Sequence, residues 1–70
     1  MKIIYTDHAK KRMIERNIRI KDIKDAIELP DYTLTKGNKI EVHRKINERI
    51  LKIVYEKRNK FIKIITVISK

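Results

Sequence analysis

The sequence predicts an α+β domain in which a short N-terminal strand and a two-helix hairpin precede a three- to four-stranded antiparallel sheet packed against the helices. Apolar residues form a short run at residues 2–5, recur at helical spacing between residues 7 and 29, and alternate with polar residues after Pro30. The chain has 70 residues, one glycine, one proline and no internal repeat. One domain spanning residues 1–70 follows from this length and composition.

The two helices are predicted from their capping residues and their apolar spacing. After the first strand, Thr6 or Asp7 can cap a helix that reaches about Asn17. A second helix is predicted over residues 20–29, with Pro30 stopping it. The buried side of the first helix is expected to include Met13 and Ile14.

Three or four strands are predicted after Pro30, with segments at residues 32–36, 40–46, 49–55 and 61–68. Gly37 and Asn38 supply the first turn, and Asn47 and Glu48 supply the second. The second pair is not an ideal two-residue turn, because glutamate resists a positive φ. A four-residue loop there would pair the flanking residues in the same register, so the facing of the side chains is the same in both cases.

This register divides the strand residues between two faces of the sheet. The face assigned to the core carries Ile40, Val42, Ile46, Leu51, Ile53, Tyr55, Ile62, Ile64 and Ile68, and Arg44 also falls on it. The other face carries Glu41, His43, Lys45, Lys52 and Lys63 among Ile50, Val54, Phe61, Ile65 and Val67. A basic sheet surface with exposed apolar residues indicates a binding surface for a partner or a contact between two copies of the chain.

The charge of the chain indicates a polyanionic partner. Nineteen Lys and Arg residues against nine Asp and Glu residues give a net charge of +10, and nucleic acid is the commonest ligand for such an excess. The alternative is a Lys- and Glu-rich composition of the kind found in heat-adapted proteins, which explains abundant charge of both signs better than an excess of one. With no cysteine, no signal peptide and no apolar run long enough to cross a bilayer, a cytoplasmic protein is expected.

Three side chains at a spacing of four residues form the most informative pattern. His8, Arg12 and Arg16 should lie on one face of the first helix, where an imidazole and two guanidinium groups could meet a single phosphate. The structural alternative is that His8 is an exposed residue of the first helical turn. In that alternative the two arginines pair with Glu15 and with acids of the second helix, such as Asp22 or Asp25.

Cleavage of RNA by its own 2′-hydroxyl group is chemistry that these residue types can support. It requires a base, cations that hold the developing charge, and an acid, but no cofactor. The chain has two histidines, His8 and His43, each with cations near it in sequence, and Arg12 and Arg44 could bind phosphate oxygens. For His43, a solvated histidine on the strand surface is the alternative. Two distant histidines without cysteine have no recognised metal-ligand spacing, so no metal site is predicted.

The helix motif also resembles a known family. The residues His8-Ala9, Arg12-Met13, Glu15-Arg16 and Ile18, a second helix ending near Pro30 and the closing strand Ile64-Ile65-Thr66-Val67 resemble a family of small uncharacterised domains. That family is related to the RelE-like and BrnT-like toxins of type II toxin-antitoxin systems. The resemblance covers nearly the whole chain, and it implies a RelE-like fold within the barnase, EndoU, colicin and RelE-like group of metal-independent ribonucleases.

The resemblance implies a toxin-like endoribonuclease that binds and cleaves RNA, free or at the ribosome, and an acidic antitoxin-like protein as its partner. The motif carries over His8, Arg12 and Arg16, whereas the strand residues are inferred from facing. The candidate catalytic residues are His8, Arg12 and His43, and the candidate nucleic-acid-binding residues are Arg16, Arg44, Lys45, Lys52 and Lys63. Two alternatives stay open: a non-catalytic nucleic-acid-binding regulator, and a protein-interaction module or homodimer that uses the mixed sheet face.

Overall fold

A computed structural model describes residues 2–70 and confirms the α+β class. The elements in chain order are β1 (Lys2–Tyr5), α1 (Asp7–Glu15), α2 (Ile20–Glu28), β2 (Tyr32–Lys36), β3 (Lys39–Ile46), β4 (Arg49–Lys57) and β5 (Phe61–Ser69). The strands form one sheet in the order β1-β5-β4-β3-β2. Both helices contact the same sheet, α1 against β5 and α2 against β3 and β4. Within the described residues, neither helix has the length and apolar character needed to cross a bilayer.

The sheet is mixed, whereas the sequence predicted only antiparallel pairing. Strands β2 to β5 form an antiparallel meander, and β1 joins its edge in parallel with β5, with Tyr5 opposite Ile64. The physical reason is the path of the chain, because β1 is separated from β5 by the helical hairpin and the other three strands. No tight hairpin constrains the direction of β1, so β1 can pair with β5 in the parallel orientation at the edge of the sheet.

The two helices are joined by a tight turn that fixes where α1 ends. Asn17 adopts a φ of 53°, the N–H of Ile18 donates to Met13 O at 2.8 Å, and the N–H of Asn17 donates to Ile14 O at 3.3 Å. These two bonds form a Schellman motif, in which asparagine is one of the few residues that tolerate the left-handed backbone. The predicted end near Asn17 is confirmed. Ile14 was expected on the buried side but is 83% exposed, because the buried side of α1 is formed by Ala9 and Met13.

A carboxylate fixes the beginning of α2. The backbone N–H of Arg19 donates to Asp22 Oδ2 at 3.1 Å, and the guanidinium of Arg19 donates to both oxygens of this carboxylate. Burial by itself raises the pKa of Asp22, but the hydrogen bonds and charge of Arg19 outweigh it and hold the pKa below its ordinary value. The carboxylate is therefore ionised, and it caps α2 while its own charge is compensated.

The core lies between the helices and one face of the sheet. The most deeply buried strand residues are Val42, Leu51, Ile53, Ile64 and Val67, and the helices contribute Ala9, Ile23 and Ala26. The residues of β3 and β4 that were predicted to lie in the core face the helices. The turn at Asn47 keeps the predicted register, with Ile46 paired to Arg49, and Asn47 alone takes up the positive φ that Glu48 would resist.

One irregularity in β5 reverses the predicted facing of its last residues. Tyr55 pairs with Ile64 and Val54 pairs with Thr66, so Ile65 is an extra residue in β5, a β-bulge. Beyond it the alternation is shifted by one position. Val67, predicted to face outward, is fully buried, and Ile68, predicted in the core, lies on the other face as the partner of Lys52. Strict period-two counting has no means of detecting an inserted residue.

Exchanging these two side chains for threonine tests the bulge. The Val67→Thr substitution should lower the free energy of unfolding by about 1–3 kcal/mol, because it buries a hydroxyl group in an apolar core. The Ile68→Thr substitution should cost less than about 1 kcal/mol, because this side chain lies only partly buried on the opposite face. Urea unfolding of both variants checks the order, and a larger loss for Ile68→Thr would contradict the bulge.

Candidate nucleic-acid interface

The start of α1 is tied to the bulge in β5. Thr6 is the N-cap, and its hydroxyl oxygen accepts from the N–H of Ala9 at 3.0 Å. The same hydroxyl donates to Ile65 O at 3.0 Å, and the backbone N–H of Thr6 donates to Ile64 O at 3.1 Å. One residue therefore caps the helix and anchors it to β5 at the position where β1 ends. Consequently α1 runs beside the part of β5 that β1 leaves unpaired.

A groove lies between α1 and this part of β5. It has a volume of about 390 Å³, and its walls are formed by His8, Arg12 and Arg16 from the helix and Thr66, Val67 and Ile68 from the strand. His8 Nε2 lies 3.1 Å from the hydroxyl oxygen of Thr66 in a hydrogen bond across the groove. The structure thus brings the three motif residues together at one open surface, as their spacing predicted.

Few acidic side chains pair with Arg12 and Arg16, the two arginines of the groove. Arg12 contacts Glu15 at 3.6 Å, but both side chains are more than two-fifths exposed, and a pair of this kind contributes little to stability. Asp22 pairs with Arg19. For the side chain of Arg16, the described residues provide no ion pair within 4 Å. Of the pairings expected for these arginines, only that with Glu15 is present, so an anion in the groove can approach both guanidinium groups.

A further arginine is bound to the C-terminal end of α1. Arg49, at the start of β4, donates from its guanidinium to the carbonyl oxygens of Arg16 at 2.9 Å and Asn17 at 3.0 Å. These carbonyls belong to the C-terminal end of α1, where a positive charge offsets the helix dipole. The residue fixes the helix end that carries Arg16 and adds positive charge there. Nothing in its sequence position indicated this role.

The groove is continuous with the face of the sheet opposite the helices, which we call the outer face. Cross-strand pairs define this face: Thr66 with Val54 and Glu41 in one row, and Ile68 with Lys52 and His43 in the next. Thr66 and Ile68 therefore belong both to the wall of the groove and to the outer face. A ligand leaving the groove would pass directly onto this face.

The second histidine lies in a separate cluster on the outer face. His43 Nε2 is 2.8 Å from Glu41 Oε2, and Lys52 Nζ is 3.3 Å from Glu41 Oε1. The hydrogen bond from His43, together with Lys52, lowers the pKa of Glu41. On its other side the imidazole stacks on the ring of Tyr32, with ring centroids 4.4 Å apart and planes 13° apart.

The predicted catalytic group of His8, Arg12 and His43 is not assembled at one point. Thr66, which contacts His8, and Glu41, which contacts His43, lie two strands apart. Two strand spacings are about 10 Å, and His43 is not among the residues that line the groove. His8 and Arg12 share the groove with Arg16 instead.

The other predicted binding residues are divided between the two sides of the sheet. Lys45, Lys52 and Lys63 lie on the outer face, as the register predicted. Arg44 points to the helix side, and its guanidinium donates to the carbonyl oxygen of Leu29 at the end of α2. This places Arg44 away from the groove and the outer face, as a cap of the second helix.

The opposite side of α1 carries a groove of a different kind. It has a volume of about 620 Å³ and is lined by Tyr5, Lys10, Met13, Ile14, Asn17, Ile18 and Ile20. Its lining is mainly apolar with a single cation, and the buried hydroxyl of Tyr5 has no hydrogen-bond partner among residues 2–70. Burial raises the pKa of this tyrosine. The cations that could hold a phosphate therefore lie on the other side of the helix.

Comparison with known proteins identifies the family but not the chemistry. The model of a family described as a domain of unknown function (DUF4258) matches residues 5–69. The chain belongs to the DUF4258 family. No curated protein matches this DUF4258 domain, and no solved structure does. The matched region includes both walls of the groove and the whole outer face of β2 to β5.

Sequence reasoning missed two contributors to this surface of the DUF4258 domain. Thr66 was not singled out, because its position beside His8 depends on the bulge and on the path of α1. Tyr32 was not singled out either, although a signal for it exists. The turn at Gly37 pairs Tyr32 with His43 across the hairpin, and counting outward from the glycine would have placed the two rings side by side.

Proposed function

We propose that this DUF4258 domain binds RNA in the groove and cleaves it without a metal ion by transesterification. The observation that carries the proposal is the row of His8, Arg12 and Arg16 along one wall of an open groove that leads onto the outer face. A phosphodiester bound to the two guanidinium groups would lie beside the imidazole. The net charge of +10 would attract RNA to this surface.

The residues of the groove can be assigned to the steps of this reaction. His8 takes the proton of the 2′-hydroxyl while that oxygen attacks the adjacent phosphorus. The bond from phosphorus to the 5′-oxygen breaks, which leaves a 2′,3′-cyclic phosphate, and the leaving 5′-oxygen takes a proton from solvent water to become a hydroxyl group. Arg12 and Arg16 hold the charge that develops on the phosphate oxygens. Thr66 orients the imidazole: when Nε2–H donates to its hydroxyl, Nδ1 is the free acceptor.

One observation favours a second candidate, a protein that binds RNA without cleaving it. The groove contains a single histidine, since His43 lies two strands away, and RNA cleavage requires an acid as well as a base. In both candidates the same groove holds the phosphate. The first proposal includes a cytoplasmic location, which is expected from the composition, and an acidic antitoxin-like partner, which the family resemblance implies.

Incubation of the purified domain with RNA in EDTA distinguishes the two candidates. We expect fragments that end in a 2′,3′-cyclic phosphate, with and without added ribosomes, and we expect RNA of the same sequence with 2′-O-methyl groups to be bound and left intact. Binding of RNA without any cleavage in either condition would select the second candidate. A domain that binds neither strand would contradict both.

A further inference from the structure

We propose that Tyr32 binds one unpaired nucleobase of the RNA by stacking, so that the substrate is single-stranded where it crosses the outer face. This inference rests on the proposed function, because it requires an RNA strand that leaves the groove along that face. In this proposal the groove contacts only the phosphodiester backbone of the RNA, and Tyr32 adds a contact to one base.

The geometry of the Tyr32 ring suits a stacking site. One face of the phenol ring lies against the imidazole of His43, with nearly parallel planes and centroids 4.4 Å apart. The residue is nevertheless 52% exposed, which leaves the opposite face of the ring to solvent. Aromatic side chains with one open face are the surfaces on which bases of single-stranded nucleic acids stack.

The ring is held in place before any base arrives. His43 is hydrogen-bonded to Glu41, and Glu41 is paired with Lys52, so the imidazole beneath the phenol ring has a fixed orientation. The backbone next to Tyr32 is fixed as well. The N–H of Asp31 donates to His43 O at 2.8 Å, and its carboxylate accepts from the N–H of Lys45 at 2.7 Å. A ring that is already ordered loses little entropy on binding.

Charge and position connect this ring to the groove. Tyr32, His43, Lys52 and Ile68 form one cross-strand row, and Ile68 is part of the groove wall. The row crosses three strand spacings, which is about 14 Å, a span that an extended strand covers with a few nucleotides. Lys45, which follows His43 on the same face, is exposed beside the row and can contact backbone phosphates.

The exposed ring of Tyr32 favours binding of a single RNA strand over a double helix. In a double helix the faces of the bases are covered by their neighbours, whereas a base in a single strand can turn out and stack on an aromatic side chain. A duplex could contact the lysines of the outer face, but it could not cover Tyr32 with a base. The expected ligand is therefore single-stranded RNA, with little dependence on which base lies on the ring.

Two uncleavable strands test the inference: a 12-nucleotide 2′-O-methyl uridine strand and the same backbone without bases. The Tyr32→Leu substitution should weaken binding of the base-containing strand by about 5- to 150-fold, the effect of losing one stacked base, and should leave binding of the abasic strand unchanged. Tyr32→Phe should bind both strands as the wild type does. Leu34→Ala, on the same strand and face, is the matched control and should have little effect.

A second readout comes from the fluorescence of the protein itself. The chain has three tyrosines and no tryptophan, and Tyr5 and Tyr55 face the helix side of the sheet. The base-containing strand should therefore quench tyrosine fluorescence in the wild type, and this quenching should be absent in Tyr32→Leu.

The outcomes separate this inference from the proposed function. If Tyr32→Leu binds both strands as tightly as the wild type, the stacking site is wrong and RNA binding by the groove stands. Equal losses for both strands would also count against stacking, because the abasic strand has no base to lose. If the wild type binds neither strand, the proposed function fails and the inference fails with it. A dimer that Tyr32→Leu dissociates would assign the ring to a contact between two copies of the chain.

Discussion

Replacement of His8 by glutamine is expected to lower the rate of RNA cleavage by about 10²- to 10⁴-fold, the usual contribution of a side chain that transfers a proton. Glutamine keeps a polar group that can contact Thr66, but it cannot accept the proton of the 2′-hydroxyl. The affinity for 2′-O-methyl RNA should stay within about threefold of the wild type, because Arg12 and Arg16 supply the charge in the groove. Single-turnover cleavage at saturating enzyme, with binding measured in parallel, checks both expectations.

The chain contains its own control for this experiment. His43→Gln removes the other histidine, two strands away from the groove, and should reduce the single-turnover rate by no more than a few-fold. If the two substitutions reduce the rate equally, or if His43→Gln alone abolishes cleavage, the groove is not the catalytic centre. Cleavage that survives the loss of both histidines would rule out proton transfer by either of them.

Neutralising both arginines of the groove is expected to have the second large effect, on binding. Each guanidinium forms charge-assisted hydrogen bonds to phosphate, so the double substitution Arg12→Gln, Arg16→Gln should weaken the affinity for single-stranded RNA by about 10²-fold or more. The slope of log affinity against log salt should decrease by about 1.4, because two fewer counterions are released at about 0.7 for each phosphate contact. Fluorescence anisotropy over a series of salt concentrations measures both quantities.

The matched control for this variant removes the same charge from the same helix. Lys10 and Lys11 are exposed residues of α1 that do not line the groove. The double substitution Lys10→Gln, Lys11→Gln should change the salt dependence by less than half as much. Equal effects of the two double variants would indicate that RNA responds to the net charge of the chain and has no preferred site in the groove.

Most of the fold could be predicted because its signals are local. Thr6 and Asn17 mark the ends of α1, Pro30 follows α2, and Gly37 and Asn47 supply the positive φ of the two turns. Each of these residues acts through its own backbone or its immediate neighbours. For the same reason the spacing of His8, Arg12 and Arg16 predicted one helical face, and the structure places them on it.

The remaining features depend on contacts between distant parts of the chain. The parallel addition of β1 to β5 and the bulge at Ile65 lie where α1 is anchored, with Thr6 bonded to Ile64 and Ile65 nearly 60 residues later. No local pattern encodes such a contact. The groove residues of β5, including Thr66, therefore could not be predicted from alternation, and the distance between His8 and His43 became clear only from the order of the strands.

The groove can form only after β5 has paired with β1 in the sheet. One wall comes from residues 8–16 and the other from residues 66–68, and the hydrogen bond from His8 to Thr66 joins positions 58 residues apart. Closing so long a loop requires most of the sheet to be in place, since contacts of this kind form late in folding. A nascent chain in which β5 has yet to be synthesised has the cationic helix but no opposite wall. If the domain cleaves RNA, it can do so only after β5 has been synthesised and has joined the sheet.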